Sequence, residues 1–361
     1  MVSSKVGDVS CVDYQVGTNE SKMSQSTNYP LVSVIVLTCN GIHLLKRNLP
    51  SVIEIEYPKF EVVIVDNGSL DGTAEYLRDT IKPLFKSQRI PFKLIRIERN
   101  VGIPKGRNVG IRNAKGTYIT FLDDDARGDK TWLICAINQM RRDNSIGIIQ
   151  CKVLLADGKR IDTVGVDQYW TGLAVRKGYG EMDRHQYDHI KKPIFVDGPG
   201  LIFRRELFEE IGLFDPKLFT ADNGDFSWRA WMTGRWNIAF LPDSIIYHEG
   251  GGTLNKSPLY KNPYFKWQDK IYLMLKNYDS IGLLTYFPMS LLFLFAAALV
   301  SRRRGESLFA FSEALFSTSK SVREMFEKRK SIQKFSRVST RQLIKAGIIK
   351  NPDLMMFKKG G

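Results

Sequence analysis

Apolar and polar residues alternate in blocks through the first third of the chain. From Leu31 to Thr38 (Leu-Val-Ser-Val-Ile-Val-Leu-Thr) the run is almost unbroken, apolar and β-branched, as suits a strand buried on both faces of a parallel sheet. Asn40-Gly41 ends it, and His43 to Glu56 then carries helical spacing. Phe60 to Val65 reads as a second buried strand, closed by Asp66-Asn67-Gly68-Ser69. A third unit follows, with Thr73 to Ile81 as helix and Phe92 to Ile97 as strand. After a glycine-rich stretch to Gly116, Thr117 to Leu122 forms a further strand. This alternation predicts an α/β fold with a doubly wound, mostly parallel sheet, whose ligands lie outside the carboxyl ends of its strands. Beyond Ile148 the pattern is mixed: Ile148 to Leu155 and Ile194 to Val196 are strand-like, Arg204 to Ile211 helix-like, and a less regular second half is expected.

The polar clusters fall where that rule wants them. Thr38 and Asn40 follow the first strand, Asp66 the second, Arg99 to Asn108 the third, and Asp123-Asp124-Asp125 the fourth. Three adjacent carboxylates repel one another, which is tolerable if water solvates them or a cation neutralises them. Hard oxygen ligands suit Mg²⁺ or Mn²⁺, which can bridge to a diphosphate and stabilise it as a leaving group. A solvated loop or an acidic helix N-terminus would produce the same run. Just upstream, Arg99-Asn100-Val-Gly102-Ile-Pro-Lys105-Gly106-Arg107-Asn108-Val-Gly110 lets backbone approach a ligand closely, and Lys105 and Arg107 can meet phosphate oxygens. It has neither the P-loop pattern nor the dinucleotide spacing of glycines.

Seven motifs occur in a fixed order: Ser33 to Asn40, Val65 to Ser69 with Asp71-Gly-Thr73, Asn100-Val-Gly102 with Gly106-Arg-Asn108, Phe121 to Asp125, Gly212-Leu-Phe-Asp215, Asp225 to Ala230, and Tyr247-His248. Over residues 31 to 250 the chain resembles the family 2 glycosyltransferases of the nucleotide-diphospho-sugar transferase (GT-A) fold. The resemblance implies a donor site in which Thr38, Asn40 and Asp66 hold base and ribose, with Asn100, Arg107 and Asp124 nearby. It implies Asp123 on ribose or metal, Asp125 on the metal, and His248 completing the metal or diphosphate site. Gly198-Pro199-Gly200 matches the loop that lines the acceptor, and Trp228 is a candidate platform for a sugar or lipid acceptor, a place in the core being the alternative for it as for Trp231 and Trp236. The chain departs from the family's Glu-Asp-x-Asp, reading Asp222-Asn223-Gly224-Asp225. An asparagine cannot take a proton, so Asp222, or else Asp225, is expected to be the base. Inverting transfer from a nucleotide-diphospho-sugar to a glycan or lipid-linked hydroxyl is the implied reaction. Asn223 also motivates a non-catalytic sugar-nucleotide-binding reading. A nucleotidyltransferase is disfavoured because Thr38-Cys-Asn-Gly-Ile-His43 replaces the cationic phosphate loop expected after a first strand.

The organisation expected is a flexible polar lead-in over 1–30 and a catalytic domain over 31–255, split into a nucleotide half (31–126) and an acceptor half (127–255). A helical basic region follows over 256–361. The lead-in lacks the layout of a signal peptide. Of the chain's +15, a net +10 lies in residues 301–361. Between Asp279 and Arg302 there are 22 positions without a charge, and Arg302-Arg303-Arg304 follows at once. A membrane surface, not nucleic acid, is the partner this arrangement favours. Gly282 and Pro288 interrupt the apolar segment 281–300, and a single crossing would separate the basic tail from the catalytic domain. An interfacial or re-entrant segment paired with Ser307 to Phe316, on the cytoplasmic face, is therefore expected. The four widely spaced cysteines suggest reduced thiols, not a disulfide scaffold.

Overall fold

The computed structural model describes residues 29–190, 194–250 and 262–352, so nearly all of the expected lead-in lies outside the described residues. Strands β1 (Val32–Thr38), β2 (Phe60–Asn67), β3 (Phe92–Ile97) and β4 (Tyr118–Asp123) form a parallel block ordered β3-β2-β1-β4. Val34 and Val36 pack on one face of the sheet and Ile35 on the other, as a strand buried on both sides requires. The expected helix 43–56 is two, α1 (Ile42–Asn48) and α2 (Pro50–Ile53), divided at Pro50, which has no N–H to continue the first. Helix α3 (Thr73–Tyr76) runs through a π turn at Leu77–Ile81 into α4 (Lys82–Ser87).

The glycine-rich stretch is largely helix, α5 (Ile103–Asn113). Its glycines serve close packing: a Cβ at Gly106 would stand 2.6 Å from Leu37 Cδ1, and one at Gly110 2.5 Å from Ile35 Cγ2. The second half adds β5 (Ala126–Gly128), α6 (Trp132–Arg142), β6 (Ile146–Leu155), β7 (Ile161–Thr163), β8 (Val166–Gln168), β9 (Ala174–Arg176) and β10 (Leu201–Arg204). It continues with α7 (Arg205–Ile211), α8 (Asp222–Met232) and β11 (Asn237–His248). The sheet extends as β4-β10-β6-β11-β5, with β10 antiparallel to both its neighbours and β11 parallel to β6, so the whole is mixed and mostly parallel.

Helix α9 (Pro263–Asn277) belongs to this core: Ile271, Tyr272, Leu273 and Met274 pack in one cluster with Phe226 and Trp228. It leads to α10 (Ser280–Val300), α11 (Arg304–Phe335) and α12 (Thr340–Lys345). Helices α10 and α11 pair through Leu294, Ala298, Phe311 and Ala314, yet leave a broad apolar face uncovered. On it Leu284 is 80% and Leu292 71% exposed, beside Ile281, Phe309 and Phe316. Among the described residues, α10 is the one helix long and apolar enough to cross a bilayer.

Candidate active site

Parallel register sets the site. Thr38 pairs with Asp66 and Leu37 with Asp123, so the ends of β1, β2 and β4 bring their polar residues to one carboxyl edge. Asp66 is fully buried; its Oδ1 accepts from Ser69 N (3.0 Å), while among the described residues Oδ2 has no hydrogen-bond donor. Arg96 Nε stands 3.9 Å from that oxygen. A buried carboxylate oxygen without a donor is costly, and it fits a ligand N–H or O–H. Asn40, at φ +54°, accepts from Leu70 N (2.7 Å), and Asn100 accepts from Gly102 N (2.9 Å) and Asn67 (3.1 Å). Both asparagines tie the loops around this edge together.

Thr38 donates to Asp124 Oδ2 at 2.7 Å. The contact needs Gly41 above it, since a Cβ there would lie 2.2 Å from that oxygen and 2.4 Å from the threonine hydroxyl. Thr38 and Asp124, both read from the sequence as donor-site residues, are thus braced against each other. Burial and the neighbouring Asp125 and Asp123 push the Asp124 carboxyl up to about 7, although the Thr38 bond opposes them. Crowding of this kind is relieved by a divalent cation, so the donor set has the chemistry for Mg²⁺ or Mn²⁺. Strand pairing of β5 with β11 brings His248 to Asp125, Nε2 to Oδ1, at 3.2 Å. The other ring nitrogen, Nδ1, lies 2.8 Å from Asp162 Oδ2. Burial opposes charge on His248, but hydrogen bonding to the two carboxylates outweighs it and lifts the pKa to about 10.

Arg107 is buried on α5 and is spent on protein carboxylates, not held out toward a phosphate. Its Nη1 lies 3.1 Å from both Asp222 Oδ2 and Asn223 Oδ1, and its Nη2 3.6 Å from Asp123 Oδ1. One guanidinium thus joins the acidic run to the start of α8. Asp222, 6% exposed, is raised to about 6 because burial outweighs the attraction of Arg107. Asp225 differs. It has no exposed surface, its Oδ1 accepts from Asn277 (2.9 Å), and its Oδ2 accepts from Arg229 and Lys276 (both 2.9 Å). Despite burial, these partners hold its pKa below the ordinary carboxylate value, and both oxygens are engaged. Asp225 is therefore corrected from candidate base to packing centre. Trp228 is corrected as well: it is fully buried between Phe195 and Tyr278, with no surface for an acceptor.

Gly198 (φ +80°) and Gly200 (φ +76°) turn the loop into β10, and Gly200 N donates to Phe121 O (2.8 Å), which seats the loop beside the acidic run. Two features carried no sequence signal. Asp162 and Arg176 link His248 to Asp197 on this loop. Asp269 of α9 accepts from Phe219 N and from the backbone and hydroxyl of Thr220, just before Asp222. Elsewhere, Asp183, His185 and Asp188 can bring one ligand atom each within 4.8 Å of one another. There Lys152 Nζ already stands 3.1 Å from Asp183 and 2.5 Å from Asp188 and balances the pair.

The family model "Glycosyl transferase family 2" matches residues 33–212. Glycosyltransferase AglE of Haloferax volcanii is 26% identical over 231 residues, covering 62% of this chain and 68% of that protein. Polypeptide N-acetylgalactosaminyltransferase 13 of Homo sapiens is 27% identical over 220 residues, covering 57% of this chain and 39% of its own length. Among solved structures, GalNAc-T7 with UDP, GalNAc and Mn²⁺ superposes with TM-score 0.56 at 19% identity, over 82% of this chain and 58% of that one. Staphylococcus aureus TarS in complex with UDP-GlcNAc gives TM-score 0.55 at 19% identity, over 84% and 89%. These likenesses carry the fold.

Proposed function

Starting from a chain that belongs to glycosyl transferase family 2, we propose that it transfers a sugar, with inversion, from a nucleotide-diphospho-sugar to a hydroxyl of a glycan or lipid-linked acceptor. The observation that carries this is the convergence of Asp66, Asp123, Asp125 and His248 on one carboxyl edge, opposite Asp222. Asp66 Oδ2 receives an N–H or O–H of the nucleoside. Asp123, Asp125 and His248 would hold Mg²⁺ or Mn²⁺, and the chemistry such an ion would supply is neutralisation of charge on the leaving diphosphate. Asp222 accepts the proton of the acceptor hydroxyl as its oxygen bonds to the anomeric carbon and the bond from that carbon to the diphosphate oxygen breaks. At about 6, the pKa of Asp222 leaves it ionised at neutral pH and still basic enough to share the proton. Asn223 does not remove this function, because its neighbour Asp222 supplies the carboxylate.

The uncovered face of α10 and α11, with Arg302-Arg303-Arg304 at the junction between the two helices, supports docking on an anionic membrane from the cytoplasmic side. A lipid-linked acceptor would then be met at the surface where it resides. The transfer reading is tested with a nucleotide-sugar panel and Mn²⁺: slow release of nucleoside diphosphate is expected, and Asp125→Ala abolishes it while the fold persists. Release of pyrophosphate instead, or substantial turnover by the Asp125→Ala variant, refutes the reading.

A further inference from the structure

His248 is held from behind. Asp162, on β7 and 1% exposed, lies with Oδ2 2.8 Å from His248 Nδ1, and its Oδ1 is 3.1 Å from Arg176 Nη1. Arg176 in turn lies with Nε 2.5 Å from Asp197 Oδ2, next to Gly198. A neutral ring that donates from Nδ1 to Asp162 carries its lone pair on Nε2, facing Asp125 Oδ1 across 3.2 Å. Two lone pairs share such a gap only across a proton or a cation. With Asp162 Oδ1 held by Arg176 and Oδ2 facing Nδ1, Nε2 is the ring nitrogen left to ligate once a cation replaces its proton.

We propose that Asp162 is the positioning residue of the cation site, selecting Nε2 as the ligating nitrogen of His248, and that Arg176 locks it and ties the site to the acceptor loop through Asp197. The inference rests on the reading of Asp125 and His248 as cation ligands. Carboxylates behind metal-bound histidines fix tautomer and ring direction, and their loss typically weakens metal binding about 10–100-fold. Asp162 is 1% exposed and meets the cation site at His248 Nδ1, so its effect should travel through that ring.

The test is Mn²⁺ binding to the full-length chain, read from the electron paramagnetic resonance signal of free Mn²⁺, with no turnover required. Asp162→Asn should weaken Mn²⁺ binding by about 10–100-fold. Asp167→Asn, on neighbouring β8 and paired with Lys177 and Lys350, should leave it unchanged. The double variant Asp162→Asn with His248→Ala should bind no more weakly than His248→Ala alone, because two groups acting through one ligand are not additive. Additive losses would mean that Asp162 acts structurally and would overturn the inference. So would an Asp162→Asn affinity within about twofold of wild type when Asp125→Ala abolishes binding. If Asp162→Asn does not fold, Arg176→Gln, at a side chain 39% exposed, reads the same link: weaker Mn²⁺ binding supports it and unchanged binding overturns it. Failure of the wild-type chain to bind Mn²⁺ at all would instead overturn the cation reading beneath the inference.

Discussion

Replacing Asp222 with Asn should slow turnover severely and, at neutral pH, stabilise the protein in the same stroke. The carboxyl is buried and raised to about 6, chiefly by burial and against the pull of Arg107, with Asp197 and Asp269 adding to the rise. An ordinary aspartate ionises near about 3.9 in the unfolded chain, and the difference corresponds to about 3 kcal/mol at 1.36 kcal/mol per pH unit. The sign follows from the raised folded value: the folded state binds this proton more tightly. The contribution to stability is full below about pH 4, falls as pH rises toward 6, and is gone above it. Asparagine has no charge to lose, and its carbonyl oxygen still meets Arg107. The stability of the variant relative to wild type should therefore rise by about 3 kcal/mol between pH 4 and pH 8, measured by urea unfolding at both. Loss of a positioned general base should lower kcat about 10²–10⁴-fold, with donor KM little changed. In the wild type, activity should climb through pH 6 and flatten above it, a limb that the variant lacks. A stability difference that is the same at both pH values, or a kcat within about tenfold of wild type, would refute the assignment.

Two more perturbations address the helical region. Lys276 Nζ lies 2.8 Å from Asp215 Oδ2 and 2.9 Å from Asp225 Oδ2 on a side chain 6% exposed, so Lys276→Met leaves two buried carboxylates short of a cation. Because Lys328 and Arg229 remain, the cost should sit at the low end for a broken buried pair, about 3 kcal/mol by urea unfolding; a loss under about 1 kcal/mol would contradict it. Substituting both Leu284 and Leu292 with Glu should lower co-sedimentation with anionic vesicles at least about tenfold, since each leucine buried in lipid is worth roughly 1.5–3 kcal/mol. Undiminished binding would place the membrane contact elsewhere.

The parallel block was legible because burial on both faces writes itself into sequence as continuous β-branched runs, at Val32–Thr38 and Phe60–Asn67 alike. Strand-end clusters were legible for the same reason: the topology gathers them wherever the strands lie. Helix α5 was less so, since Gly106 and Gly110 read as loop until the close approach of Leu37 and Ile35 explains them. What sequence could not show was which charges are buried. Asp162 and His248 are 86 positions apart, and Lys276 and Asp225 are 51 apart. A charged residue becomes a core residue only when a distant partner arrives, and no local pattern records that. Trp228 left two readings open in the sequence, platform or core, and the cover of Phe195 and Tyr278 decides for the core.

Helix α9 grips the segment carrying Asp222 at two points, through Asp269 to the backbone of Phe219 and Thr220 and through Lys276 to Asp225. Chimeras intended to swap acceptor preference between relatives should therefore be cut after α9, because a junction near residue 255 would transplant Asp215 and Asp225 without the lysine they share. In that respect the helix is to this fold what a keystone is to an arch, set in after the catalytic half and locking what came before.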